Sequence, residues 1–331
     1  MSAPIAAGVG APFARLLSVA SFVPSRVVDN AEMCTWIDSS DEWIQQRTGI
    51  AERRWVGEGE DVESMALSAA RTAIERSGVA ANEIGAVIVA TVTYFHQTPS
   101  MAAKLAHALG TNGAAYDISA ACAGFCYGLA QAEALVRSGA ARYALVVGVE
   151  ELSRFTNVHD RSTAFLFADG AGAAVVGPSD VNGIGPVVWG SDGGQAEAIT
   201  QTTEWHAALS VGERPYLAMD GRSVFKWATG FITEATKNVL DAGGLQPGDL
   251  DVFIPHQANN RITDAMLRHL KLPERVVVAR TIKQFGNNSA ASVPMAMDAL
   301  LTSGEAKSGQ TAPLIGFGAG LVYAGQIVTL P

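Results

Sequence analysis

Apolar and polar positions divide this chain into short buried strands and amphipathic helices, in an order that occurs twice. Residues 15–23 read as a first strand, turned at Pro24 and Ser25. Residues 30–37 and 40–47 read as short helices, the second with a capped start at Ser40. Met65, Ala66, Ala69, Ala73 and Ile74 recur at helical spacing and predict a helix over 61–77. Ala86-Val87-Ile88-Val89-Ala90 is an unbroken apolar run, as expected of a strand covered on both faces. A helix over 100–109 leads to a short run ending in Asp117-Ile118. Leu129, Ala130, Ala132, Ala134, Leu135 and Val136 then predict a helix closed by Ser138-Gly139. Residues 143–149 read as another buried strand. In 165–176, Asp169-Gly170-Ala171-Gly172-Ala173 is a glycine turn feeding a strand.

The second half replays this order. A helix over 224–242 precedes an apolar strand at 251–254. A helix over 288–301 precedes a strand at 313–317, and Gly318-Ala319-Gly320 feeds a last strand over 321–330. Laid on itself at an offset of 165, the chain places Val87 on Val252, Ala134-Leu135 on Ala299-Leu300, and Ser138-Gly139 on Ser303-Gly304. The same offset puts Cys122 on Asn287 and Thr91 on His256. Short Ala/Leu helices can match by chance, but the shared order of elements favours duplication of one α/β unit. The expected division is 1–177 and 178–331, with 177–217, which lacks a clear period, as a surface connection between the halves.

Composition narrows the function classes. Of 331 residues, 48% are hydrophobic and 17% charged, which excludes a disordered chain and permits a large core. A net charge of −9 argues against a general nucleic-acid or membrane-surface binder. Cys34, Cys122 and Cys126 are too few for a disulfide framework and lack zinc-site spacing. With no secretory signal, they suggest a reducing, cytoplasmic setting. Residues 1–17 read as a loose lead-in to the first strand, not a targeting segment, and no stretch is long and apolar enough to span a bilayer.

Three junctions carry candidate chemistry. Cys122 follows a short apolar run and opens a helix, where unpaired N–H groups and the macrodipole favour a thiolate; a small buried core cysteine is the alternative. His256 directly follows the 251–254 strand and is placed as a donor in a cleft, against a hydrogen-bonded core histidine. The other five histidines (His96, His107, His159, His206, His269) fall in helix, loop or edge contexts. Asn287, in Gly286-Asn287-Asn288-Ser289-Ala290-Ala291-Ser292, reads by itself as an ordinary helix cap. Gly316-Phe317-Gly318-Ala319-Gly320 could bring backbone N–H groups to an oxyanion, or be a simple glycine hairpin.

Taken together, Ala121-Cys122-Ala123-Gly124-Phe125, Pro255-His256-Gln257-Ala258-Asn259, the 286–292 run and the 316–320 run resemble the motifs of β-ketoacyl-acyl-carrier-protein synthase III, the initiating condensing enzymes of bacterial fatty-acid synthesis. Asp41-Glu42-Trp43-Ile44, Arg47-Thr48-Gly49-Ile50 and Asp169-Gly170-Ala171-Gly172-Ala173 match as well, in the right order over nearly the whole chain. The resemblance implies a thiolase-like α/β fold, two duplicated halves stacked as five layers, αβαβα. It implies a decarboxylative Claisen condensation of a short-chain acyl-CoA, straight or branched, with malonyl-acyl carrier protein, without metal or redox cofactor. Cys122, His256 and Asn287 would be catalytic, with an oxyanion hole from the N–H groups of Cys122 and Ala319.

By the same resemblance, Gln257, Ala258, Asn259, Asn260 and Arg261 would meet the acidic carrier protein, with Lys226 and Arg268 nearby. Trp43, Arg47 and Arg161 would hold the CoA, Trp43 and Arg161 by clamping its adenine. Thr98, reaching across a homodimer interface, and Phe317 would wall the acyl pocket. Two positions depart from the family: Asn288 replaces a usual Thr and Ala168 a usual Gly. A priming ketosynthase of a polyketide pathway shares fold and triad. A papain-like hydrolase would need a different cysteine surround and leaves the duplication unexplained. A carrier-protein-binding scaffold would have no need of an intact triad.

Overall fold

The computed structural model describes residues 5, 6 and 8–331; residues 1–4 and 7 of the expected lead-in lie outside these. In chain order the strands are β1 (Phe13–Phe22), β2 (Arg26–Asp29), β3 (Glu52–Trp55), β4 (Ile84–Ala90), β5 (Ala114–Ile118), β6 (Tyr143–Glu151), β7 (Asp169–Ser179), β8 (Val188–Ser191), β9 (Ile199–Gln201), β10 (Leu217–Met219), β11 (Val252–Pro255), β12 (Val277–Val278), β13 (Thr311–Gly318) and β14 (Val322–Thr329). The helices are α1 (Asn30–Met33), α2 (Asp41–Thr48), α3 (Val62–Ser77), α4 (Met101–Leu109), α5 (Gly124–Ser138), α6 (Trp205–Ser210), α7 (Gly221–Trp227), α8 (Thr233–Ala242), α9 (Asn260–Leu270), α10 (Ile282–Phe285) and α11 (Ser292–Ser303).

Two five-stranded sheets share one plan. The first runs β1-β7-β6-β4-β5 and the second β8-β14-β13-β11-β12. In each, the central strand has a parallel neighbour on one side and an antiparallel one on the other: β6 with β4 and β7, β13 with β11 and β14. Between the sheets lie α5 and α11, packing Phe125, Leu129, Val293 and Met297 against Ile88, Val146, Ile254 and Leu314. Outside the first sheet α3 and α4 bury Met65, Ala69 and Leu105 on Val87 and Val147. Outside the second, α8 and α9 bury Val239, Leu240 and Met266 on Phe253 and Ile315. The result is the five-layered αβαβα thiolase-like fold.

The local signals explain the helices that carry the site. Ser40 caps α2, its side chain accepting from the Trp43 N–H, and Gly49 closes it in the left-handed region. Asn259 caps α9. The duplicated register differs from the expected one. Ala121 (φ 44°) and Ser289 (φ 47°) each open a 3-10 turn, Ala121–Ala123 and Ser289–Ala291, that runs into α5 or α11. These turns correspond at an offset of 168, whereas the helix ends at Ser138 and Ser303 correspond at 165. The reason is length: α5 has 15 residues and α11 has 12. Cys122 therefore pairs with Ala290 and not with Asn287.

Three other expectations change. The 224–242 helix is interrupted: a π segment, Ala228–Ile232, separates α7 from α8, with the Thr229 hydroxyl donating to the Phe225 carbonyl at 2.9 Å. The 177–217 connection contributes an edge strand, β8, whose four residues are too few to show a period. The expected glycine turn at 169–173 is instead the start of β7, Asp169–Ser179, paired with β6 through Gly170 and Gly172; the turns lie earlier, over 160–166.

Candidate active site

The three candidates, after β5, after β11 and between α10 and α11, line one cavity. Two residues beyond β5 the chain passes through Ser119 and Ala120 into the 3-10 turn that holds Cys122 below α5. The backbone crosses closely here. A Cβ on Gly124 would meet the Ala90 Cβ at 2.8 Å, and one on Gly318 would stand 2.8 Å from the Cys122 Cβ and 3.0 Å from its Sγ. Glycine at 318 thus lets the end of β13 lie against the thiol.

Cys122 is half-buried at the cavity it shares with His256 and Asn287. Burial, reinforced by Glu150, pushes it up to about 12, while the Ser289 hydroxyl opposes this. Burial thus works against the thiolate expected at a helix N-terminus, and Cys122 lies in the 3-10 turn two residues before α5 begins.

His256 leaves β11 fully enclosed, 3% exposed. Its N–H donates to the Ile315 carbonyl at 2.8 Å, and its ring meets Phe317 edge-on at 5.3 Å. Burial lowers its pKa to about 3, so the imidazole is neutral. Nδ1 lies 2.6 Å from the Ser292 Oγ, which also accepts the Gln257 N–H at 3.4 Å. The Ser292 hydroxyl can accept the Gln257 N–H and still donate to Nδ1; in that arrangement the ring proton sits on Nε2.

Asn287 is held at both backbone groups. Its N–H donates to the Leu166 carbonyl and its carbonyl accepts from the Ala168 N–H, each at 2.9 Å. Its Oδ1 accepts from the Ser289 N–H at 3.0 Å, so Nδ2 is the end left for a ligand. Both family departures have a local account. The Asn288 Nδ2 donates to the Asp169 and Phe285 carbonyls at 2.7 and 3.1 Å, tying the loop to β7. The Ala168 methyl lies where Gly286 (φ 70°) has no side chain; a Cβ there would approach it to 2.8 Å.

Cys122, His256, Asn287, Phe317 and Gly318 share one cavity of about 430 Å³. Trp43, Arg47, Arg222, Phe225, Ala258, Asn259 and Arg261 line it as well, and the three arginines are exposed. Arg161 and Arg47 stand over the Trp43 ring, with guanidinium carbons 5.1 and 5.6 Å from its centroid. Arg261 lies over Phe225 at 5.1 Å.

Other expected site residues are placed differently. Gln257 is buried, its amide donating to the Pro255 and Ala279 carbonyls, and buried Asn260 accepts from Arg280 at 3.1 Å. Both face inward and offer no surface to a partner protein, because each satisfies neighbouring polar groups. Asn259 caps α9 through the Arg261 N–H and donates to the Arg47 carbonyl at 3.0 Å. Lys226 and Arg268 are exposed. Thr98 is exposed on its loop and does not line the cavity of its own chain; Ala319 is half-buried directly beyond Gly318. Ser292 lies in the 286–292 run, where the sequence marks no role for it, and Gly318 lies in the run expected to offer N–H groups to an oxyanion. Arg222 and Phe225 had no sequence signal beyond helical spacing.

A duplicated five-layer fold with Cys, His and Asn on one cavity floor defines a condensing enzyme of the thiolase type. The descriptions "3-Oxoacyl-[acyl-carrier-protein (ACP)] synthase III" and its C-terminal part match residues 116–193 and 240–330. A β-ketoacyl-[acyl-carrier-protein] synthase III of Streptomyces glaucescens is 54% identical over 97% of this chain and 98% of that protein. A mycobacterial one from Mycobacterium marinum is 49% identical over 96% and 95%. Among solved structures, the priming β-ketosynthase of the R1128 polyketide biosynthetic pathway superposes with a TM-score of 0.96 at 46% identity, covering 99% of each chain. The synthase III of Aquifex aeolicus gives 0.88 at 35%, covering 96% of this chain and 99% of that one. The chain belongs to the β-ketoacyl-[acyl-carrier-protein] synthase III family.

Proposed function

We propose that this enzyme condenses a short-chain acyl-CoA with malonyl-acyl carrier protein, yielding 3-oxoacyl-acyl carrier protein, CoA and carbon dioxide. The observation that carries this reading is the shared cavity: a cysteine, a buried neutral histidine paired with the Ser292 hydroxyl, and an amide whose Oδ1 is already engaged. Cys122 attacks the thioester carbonyl, and the N–H groups of Cys122 and Ala319 hold the oxyanion. The close approach of Gly318 to Sγ supports that assignment. CoA leaves and the acyl group stays on Cys122. His256 Nε2–H and Asn287 Nδ2–H then donate to the malonyl thioester oxygen as carbon dioxide departs. The carbanion attacks the acyl-enzyme. Neutral donors suit this step, because the charge develops only in the transition state.

The exposed arginines supply the cationic features an otherwise acidic chain needs for anionic substrates. Trp43 with Arg161 and Arg47 suits an adenine and its phosphates; Arg261 suits the acidic carrier protein. Halves 1–177 and 178–331 contribute the nucleophile and the two donors respectively. Assembly is as a cytoplasmic homodimer, in which the exposed Thr98 loop would wall the partner's acyl pocket beside Phe317. Among the described residues no helix is long and apolar enough to cross a membrane. The likeness to a priming β-ketosynthase supports one alternative, the same chemistry priming a polyketide chain.

The test is intact-mass spectrometry after incubation with a panel of acyl-CoAs, beside Cys122→Ser. The expected result is an adduct on the native protein alone. Branched or longer acyl groups should be accepted, since Thr98 is small. No adduct with any acyl-CoA would overturn the reading.

A further inference from the structure

The segment that holds Asn287 has a support of its own. Residues 165–168 are bonded on one side to Asn287 and on the other to β3. The Asn287 N–H donates to the Leu166 carbonyl, and its carbonyl accepts from the Ala168 N–H. This makes a parallel bridge between Phe167 and Asn287. The alternate carbonyls, of Phe165 and Phe167, accept from β3. Arg53 Nη2 donates to the Phe165 carbonyl at 3.3 Å, and Trp55 Nε1 to the Phe167 carbonyl at 3.1 Å. Arg53 and Trp55 are the two buried positions of β3, two residues apart and so on one face.

Strand β3 also touches the turn that carries Asn287. A Cβ on Gly286 would meet the Arg53 Cβ and the Ala168 Cβ, each at 2.8 Å. The Ala51 N–H, just before β3, donates to the Lys283 carbonyl of α10 at 2.9 Å. The other partners of the fully enclosed Arg53 guanidinium are the Val28 carbonyl at 2.9 Å and the Asn30 Oδ1 at 2.5 Å. All its acceptors are neutral, an expensive setting for a buried cation, so stability alone is a poor account of it. The Trp55 ring lies parallel to Trp36 with centroids 5.6 Å apart, which fixes the direction of its N–H.

We propose that Arg53 and Trp55 are positioning residues for decarboxylation: they hold the 165–168 segment in the register that aims the Asn287 amide at the malonyl thioester oxygen. Neither lines the cavity. The Asn287 Oδ1 is tied to the Ser289 N–H, so the amide moves with its backbone, and the backbone moves with 165–168. A donor displaced from the place where charge develops loses its effect on the transition state. His256 is held independently, through the Ile315 carbonyl and Ser292. Loosening β3 therefore weakens one of the two donors and leaves the other.

The inference rests on Asn287 as a donor in the proposed condensation. Its test compares Trp55→Phe, Arg53→Lys and Asn287→Ala in the full chain, singly and with Trp55→Phe combined with Asn287→Ala. Carbon dioxide release from malonyl-acyl carrier protein is measured beside Cys122 acylation. Acylation is read at saturating acyl-CoA, because Phe165 also meets the Trp43 ring edge-on at 5.4 Å. Trp55→Phe keeps an aromatic ring but loses the N–H. It should slow decarboxylation about tenfold, the worth of one hydrogen bond, with the carrier-protein KM and acylation unchanged. Arg53→Lys, which cannot span Val28 and Phe165 together, should slow it at least as much. In the Asn287→Ala background Trp55→Phe should cost nothing more, since it acts only through that amide. An additive loss there, or an equal fall in acylation and decarboxylation, would overturn the inference and leave the condensing reading standing. If Arg53→Lys fails to fold, Trp55→Phe decides. Native decarboxylation in Asn287→Ala would overturn the donor reading of Asn287, and the inference with it.

Discussion

The Ser292 Oγ lies 2.6 Å from the His256 Nδ1 and takes the Gln257 N–H on its other side. With that hydroxyl donating to Nδ1, Ser292 at the start of α11 holds the imidazole at the end of β11 in the Nε2–H tautomer. Ser292→Ala should let the proton settle on either nitrogen and weaken the enolate donor. Decarboxylation of malonyl-acyl carrier protein should fall about tenfold, the worth of one hydrogen bond. Acyl transfer to Cys122 should not change. Single-turnover carbon dioxide release beside acyl-adduct formation separates the two; an equal loss in both would mean that Ser292 acts on packing.

His256→Ala removes the donor itself. Decarboxylation should fall on the order of 10²–10³-fold, while Cys122 still accepts an acyl group. Failure of that variant to acylate would count against the division of labour between the nucleophile and the two donors.

Gly318→Ala probes the floor of the cavity. The added methyl would sit 2.8 Å from the Cys122 Cβ and 3.0 Å from Sγ, with no flexible side-chain end to yield. Overpacking of this kind costs about 1–3 kcal/mol, and acylation should drop more than thermal stability does. A normal adduct yield in Gly318→Ala would show that β13 can retreat from the thiol.

Much of this site was legible in the chain. Cys122 and His256 each follow a strand, and strand-to-helix junctions place side chains in clefts, whereas Asn287 lies in the turn between α10 and α11 and stood out only through its motif. Contacts between distant segments were not legible. Glu150 ends a run, Val146-Val147-Gly148-Val149-Glu150, that reads as a strand running out to solvent. Its place on the central strand between β7 and the Thr91–Thr93 segment makes it internal. The register of the repeat misled for a related reason: α11 is three residues shorter than α5, so alignment at the helix ends displaces the turns at their starts. Gln257 and Asn260 read as surface amides because no local pattern announces the carbonyl and guanidinium that each satisfies.

Arg261→Glu tests the surface reading. Arg261 is exposed at the cavity mouth and rests on Phe225. Reversing its charge should raise the carrier-protein KM about tenfold, more at low salt than at high, since a rim charge acts through association. The acyl-CoA KM should move less. An unchanged carrier-protein KM would place the docking surface elsewhere, with Lys226 and Arg268 the next cations to reverse.

The buried imidazole also predicts how stability responds to acid. His256 falls from about 6.5 to about 3 on folding, so between those values the unfolded chain binds the extra proton. Its contribution is complete above pH 6.5 and is lost as pH falls toward 3. At about pH 4.5 the loss is roughly 2–3 kcal/mol. Buried Glu150 and Asp169 act in the opposite sense. Burial raises both to about 7, so they favour the folded state at low pH and lose that contribution as pH rises toward 7. The native curve mixes these effects, and the His256 share is isolated by comparison with His256→Gln. Urea denaturation at steps from pH 7.5 to 4.5 should show the native protein losing stability relative to the variant, steadily below about pH 6.5. A constant difference across that range would mean that His256 takes up a proton without leaving the fold. Its role as a neutral donor would then hold only above that protonation.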